Sequence, residues 1–194
     1  IAKALLTLND THKSFKEDMQ NRLESMDITS SVVESPSRLP VEIVSDFLQD
    51  YKNYFHQIEL SSEIIRKKVG LNDVHNIGSG LKLTNYLQTK HETKVEIVPA
   101  SEELKSVRKF DKNNKILHLS EMLTYTSRNF HLSYQVAFLE SEDVIDEIIN
   151  SSNIESEEVK PLLKISLLNY FASAILMPYD DFLENAKRNK YDVE

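Results

Sequence analysis

Between residues 161 and 177 the chain is apolar around most of a helical circumference. Leu162, Leu163, Leu167, Leu168, Phe171, Ile175 and Leu176 leave no broad polar face. A helix of that kind cannot lie on a surface with one side in water. It has to be central, with other elements packed around it. Against this background Ser166, Asn169, Tyr170, Ser173 and Met177 step by three or four along one face. Polar groups on a buried helix need partners. They either bond to neighbouring backbone or line a cavity.

The rest of the pattern supplies elements to pack on that helix. Ala4, Leu5, Leu8, Phe15, Met19 and Leu23 recur at helical spacing over residues 1–26. Residues 27–39 are Ser-rich with Pro36 and read as a linker. Pro40 suits a first helical position. From it a stripe of Ile43, Val44, Phe47, Leu48, Tyr51, Tyr54, Phe55, Ile58, Leu60, Ile64, Ile65 and Val69 predicts one helix that stops at Gly70. Residues 80–91 read as another helix, with Leu81, Leu83, Tyr86 and Leu87 inward. The period then changes. Val95 and Ile97 alternate with charged residues as in a strand, Lys112–Lys115 is a turn, and Ile116, Leu117 and Leu119 form a second strand. Ser120 to Leu123 opens a helix, and the remainder is helical with breaks at residues 151–153 and at Pro178. The expected fold is α+β, mainly helical, with a small sheet or hairpin near the middle.

Composition removes several functions. The formal net charge is −8, which argues against a nucleic-acid surface on these residues. There is no cysteine, so no disulfide framework, iron–sulfur ligand set or cysteine zinc site. The three glycines, Gly70, Gly78 and Gly80, do not form a phosphate loop. No apolar run approaches the roughly 20 residues that span a bilayer. The histidines at 12, 56, 75, 91, 118 and 131 form no pair four apart, and His91-Glu92 lacks a second histidine. The serines show no histidine–acid pairing, so a nucleophilic triad has no support.

One constellation carries chemistry. The segment Arg128-Asn129-Phe130-His131-Leu132-Ser133-Tyr134-Gln135-Val136-Ala137-Phe138 resembles the helix of the ImmA/IrrE type of zinc-peptidase-like domain. In active zincins, histidines four apart share one ion and the intervening glutamate activates water. Here Arg128, Phe130, Leu132 and Ser133 match that pattern. The ligand positions hold Tyr134 and Phe138, the catalytic position holds Gln135, and the acid expected four residues before Asn169 is Ile165. Phe and Ile cannot ligate a metal, and a neutral amide is a poor base. The expectation is a metal-free, non-enzymatic relative of the peptidase.

Further motifs narrow the resemblance: Asn53-Tyr54-Phe55, the run Asn169–Pro178, and Ala186 through Tyr191-Asp192-Val193-Glu194. With the helix above, they are similar to short-chain fatty-acyl transcriptional regulators of bacteria, those of propionate and glyoxylate metabolism included. The resemblance implies residues 1–39 as a linker and dimerisation segment and residues 40–194 as a degenerate peptidase-like sensing domain. It places the helix-turn-helix and Cys-bearing domains outside this chain, so DNA would be reached only through the former. It implies a cytoplasmic homodimer with no membrane partner and no cofactor, taking a short-chain acyl-CoA as effector. The residues it points to are Tyr54, Arg128, His131, Tyr134, Gln135, Phe138, Asn169, Tyr170 and Ser173. Tyr134 and Phe138 would wall the acyl group. Arg128, or Arg108 and Lys109, would meet the phosphates.

Overall fold

A computed structural model describes residues 39–71, 78–99 and 107–190. The helix expected over residues 1–26 and most of the Ser-rich linker lie outside these. The chain divides into two compact units, residues 39–181 and residues 1–38 with 182–194. In the second unit the described residues carry the end of a helix, with an exposed Arg188–Glu184 pair one turn apart.

In the first unit, helix α1 (Pro40–Asp50) starts on its proline, as expected. It does not run on to Gly70. Lys52 and Asn53 both adopt left-handed backbone, at φ 54° and 52°, and the Asn53 amide closes back on the Leu48 carbonyl at 2.8 Å. Asn tolerates that conformation well. Phe47, Tyr51 and Phe55 stack across the break, with centroids 4.7 and 5.1 Å apart in sequence. Ring stacking thus continues the apolar stripe where the backbone does not. Helix α2 (His56–Val69) follows, with Glu59 in its first turn and Arg66, Lys67 and Lys68 in its last, matching the helix dipole. Gly70 ends it at φ 78°. Leu60 and Ile64, assigned to the stripe from spacing, are half exposed at 50% and 56%.

Helix α3 (Ser79–His91) buries Leu83 and Leu87, while Leu81 turns outward. Strands β1 (Lys94–Val98), β2 (Arg108–Asp111) and β3 (Ile116–Ser120) form a mixed sheet of order β1-β3-β2. β1 runs parallel to β3, pairing Val95 with Leu117 and Ile97 with Leu119. β2 pairs antiparallel with β3, placing Phe110 opposite Leu117. The sequence Arg-Lys-Phe-Asp has one apolar residue in the strand, so β2 escaped the periodicity argument. The turn after it is built by Asp111, whose Oδ1 accepts from the amides of Asn113 and Asn114 at 2.9 and 3.0 Å. Those bonds hold the Asp111 carboxyl below its usual range.

Helix α4 (Tyr125–Glu140) begins later than expected. Its N-cap is Thr124, whose hydroxyl accepts from the Ser127 amide at 3.2 Å. It ends at Ser141, which donates to the Ala137 carbonyl at 2.6 Å, a break that the periodicity had run through. Helices α5 (Glu142–Ser151), α6 (Val159–Leu176) and α7 (Tyr179–Arg188) complete the described elements.

Helix α6 is the axis of the unit, with α1, α2, α4 and α5 packed on it. Leu163, Leu167, Phe171 and Ile175 are fully buried. Contrary to the expectation that no apolar run approaches a bilayer span, its 18 residues, at mean hydropathy 1.3, are long and apolar enough by composition to cross a membrane, and half of that window is buried inside the fold. The four helices packed around it account for its apolar circumference as a core helix.

Candidate functional site

Helix α4 carries most of the candidate residues, and strand β2 lies along it. Side chains alternate along a strand, and those of Arg108, Phe110 and Lys112, two apart, meet α4 in order. The Arg108 guanidinium sits 4.5 Å above the Tyr134 ring, and its Nη2 donates to Gln135 Oε1. One turn along, Phe110 meets Phe138 edge-on at 6.2 Å, and the Lys112 ammonium is 5.2 Å from the Phe138 ring. Both positions that hold zinc ligands in an active zincin are therefore covered by β2 and the residue that follows it, each with a cation over its ring.

Gln135 is fully buried. Its Oε1 is satisfied by Arg108, but its Nε2 has no hydrogen-bond partner. The same is true of the buried Ser133 Oγ, Arg128 Nε and Asn169 Nδ2. An orphaned donor in a fold interior costs about 1–3 kcal/mol, and these lie on the two helices that the sequence singled out. Arg128 also donates through Nη2 to the Leu123 carbonyl at 3.4 Å. His131 packs edge-on against Phe130 at 5.7 Å.

On α6 the polar stripe divides. Ser166 and Ser173 donate to the carbonyls of Leu162 and Asn169, both at 3.0 Å, a local arrangement of the kind any buried helical serine adopts. Tyr170 reaches across to α2. Its hydroxyl donates to Glu59 Oε1 at 2.6 Å and accepts from the Phe55 amide at 3.4 Å. Glu59 Oε2 in turn accepts from the Tyr179 amide at 3.2 Å. Burial, then the bond to Glu59, push the Tyr170 phenol well above its usual range. Tyr54 stands beside this brace, 4.8 Å from the Tyr179 ring and 3.3 Å from His56 Nδ1. Burial and the nearby carboxylates Asp180 and Glu59 raise its pKa as well.

A second polar centre was not anticipated. Glu140, at the end of α4, accepts from Tyr86 and from His91 Nε2 at 2.8 Å, with Lys68 at 3.4 Å. Burial acts to raise its pKa, but those hydrogen bonds and the lysine outweigh it and the carboxyl lies below its usual range. No motif marks this site, because its members lie on three helices. Beside it opens a cleft of about 560 Å³, lined in part by His91, Phe110, Phe138 and Ile145. Of the candidate residues, Phe138 is the one that lines it.

The residues do not fit the zinc of a peptidase. Phe138 and Ile165 offer no donor atom, and the guanidinium over Tyr134 would repel a dication. Among the described residues no cluster of three or more His, Asp or Glu side chains is placed to hold an ion.

The profile of the IrrE N-terminal-like domain matches residues 88–194. The chain is 28% identical over 160 residues to the HTH-type transcriptional regulator PrpR of Mycobacterium tuberculosis, covering 82% of this chain and 32% of that protein. It is 26% identical over 157 residues to RamB, also an HTH-type transcriptional regulator of that organism, covering 80% and 32%. With the propionyl-CoA carboxylase regulator of Cereibacter sphaeroides it shares 27% over 187 residues, covering 95% and 38%. The chain thus spans about a third of the length of the curated relatives it matches. A solved Mycobacterium tuberculosis transcriptional regulator superposes at a TM-score of 0.72 with 27% identity, covering 80% of this chain and 46% of that one.

Proposed function

Since the chain belongs to the IrrE N-terminal-like domain family yet carries Tyr134, Phe138 and Ile165 where that fold binds zinc, we propose that it is the effector-sensing part of a transcriptional regulator and binds a short-chain acyl-CoA. The observation that carries this reading is the state of the former metal site. Its ligand positions are apolar or aromatic, its base is an amide with one end unpaired, and a guanidinium stands above it. Such a site has lost the chemistry for hydrolysis and kept an aromatic wall with hydrogen-bonding groups, the composition of a ligand pocket. The name of the Cereibacter relative, a propionyl-CoA carboxylase regulator, supports an effector of that kind.

In this reading Tyr134 and Phe138 wall the acyl group, and Gln135, Asn169 and Arg128 supply the orphaned donors to its thioester and pantetheine oxygens. His131, Tyr170, Ser173 and Tyr54 complete the lining. The protein acts in the cytoplasm as a homodimer, without enzymatic activity. DNA contact belongs to a helix-turn-helix domain outside these residues, as the names of the relatives suggest. Helices α1 and α2 pack on α6, so contacts made to α6 can bias their placement. A ligand shifts such an equilibrium only by its differential affinity for the two states.

The test is a thermal-shift titration with free CoA and acyl-CoAs of increasing length. Ligand at a hundred times its dissociation constant adds about 2.7 kcal/mol. A shift that peaks at one short acyl length supports the reading, and Tyr134→Ala then weakens binding more than folding. No shift at any length, or equal loss of binding and folding in Tyr134→Ala, overturns it.

A further inference from the structure

The cleft at the end of α4 is distinct in chemistry from the former metal site, and the acyl-CoA reading uses only Phe138 of its lining. We propose that it binds an amphiphilic anion, with an apolar tail on the floor made by Phe110, Phe138, Ile145 and Leu168 and a phosphate or carboxylate head at Lys90 and Lys112. Three observations on this cleft support the assignment. Its volume, about 560 Å³, lies within the range of small-molecule sites, roughly 300–1,000 Å³. Its floor is apolar, with Ile145 and Leu168 buried and the two phenylalanines half-buried. Its rim is basic in a chain whose net charge is −8.

The charges at the rim decide which lysines are available. Lys90, Lys112, Lys115 and Lys164 line the cleft together with Glu92 and Glu142. Lys115 is paired with Glu92. Lys164 is held by Asp146 at 2.9 Å, with Glu142 at 3.9 Å. His91 is taken by Glu140. Lys90 has no carboxylate partner among the described residues, and Lys112 has only the face of Phe138. Lys112 thus stands over an aromatic ring, and neither it nor Lys90 has a carboxylate partner among the described residues. An anion with an apolar tail satisfies both, whereas a neutral ligand leaves the lysines unpaired and a bare anion leaves the floor wet.

Isothermal titration of the full chain with hexyl phosphate, hexanoate, hexan-1-ol and inorganic phosphate tests this. Hexyl phosphate or hexanoate is expected to bind at least tenfold more tightly than hexanol and inorganic phosphate, and the stronger of the two identifies the head group. The double reversal Lys90→Glu with Lys112→Glu, on exposed side chains, should weaken that binding at least tenfold with an unchanged circular dichroism spectrum. Reversal of Lys67 and Lys160, outside the cleft, should leave it alone. Equal binding of hexanol, equal binding of inorganic phosphate, no binding at all, or indifference to the Lys90 and Lys112 reversals would each overturn the assignment. A chain that ignores acyl-CoA but takes hexyl phosphate in this lysine-dependent way keeps this inference and loses the preceding one.

Discussion

Replacing Tyr170 by phenylalanine separates a brace from a binding residue. The substitution keeps the ring and its edge-on packing against Phe55 at 5.3 Å, and removes one hydroxyl. That hydroxyl makes a short bond to Glu59, at 2.6 Å, and a long one from the Phe55 amide, at 3.4 Å. A hydrogen bond to a charged group contributes about 1.5–3 kcal/mol, and the long contact adds little. Glu59 keeps its bond from the Tyr179 amide, so the carboxylate is not stranded. The expected loss in urea unfolding is about 2 kcal/mol, or about 4–8 °C in melting temperature for a chain of this size. The dependence on pH has a definite sign. The folded phenol titrates above its ordinary value of 10.0, so its stabilisation is fully present below pH 10 and is lost as pH rises toward the raised value. The gap between the wild type and Tyr170→Phe should be constant around neutrality and close above about pH 10. A gap under about 0.5 kcal/mol, within the usual range for surface substitutions, or one unchanged above pH 10, refutes the brace.

Three other outcomes are expected. Glu140→Gln should lower stability at neutral pH. Because the Glu140 carboxyl titrates below 4.5 when folded, that stability is present above the unfolded value and lost in acid, so unfolding midpoints of the two proteins should converge as pH falls; parallel curves would count against the Glu140 centre. Restoring the motif with Tyr134→His, Gln135→Glu and Phe138→His should not yield one zinc per chain by metal analysis, because Ile165 supplies no third ligand and Arg108 stands over position 134; an equivalent of bound zinc would show that β2 does not guard the site. Gly70→Ala should cost about 1 kcal/mol in urea unfolding, since an added Cβ meets nothing within 4 Å and the penalty comes only from φ 78°; a neutral result would mean that the cap relaxes to ordinary helical backbone.

Much of the architecture was legible in one dimension because periodicity reports burial. The apolar circumference of residues 161–177 announced a central helix, and α6 is that helix, with four others packed on it. That Phe138 and Ile165 offer no donor atom to a metal was equally legible, since it follows from their side chains whatever surrounds them. The breaks were less so. An apolar stripe runs unbroken through Lys52 and Asn53 because the stacked rings of Phe47, Tyr51 and Phe55 preserve the burial while the backbone turns left-handed. Strand β2 was invisible for the opposite reason, with one apolar residue and pairing supplied by β3.

What chain order alone determined, then, is which segments must be buried and which side chains of α4 and α6 offer no donor to a metal, because both follow from side-chain chemistry and local period. What the tertiary structure decided is who meets whom. Arg108 over Tyr134, Tyr170 on Glu59, and Glu140 among Tyr86, His91 and Lys68 join residues from separate elements. Contacts of that sort depend on how helices and strands are docked, and no spacing along the chain encodes them.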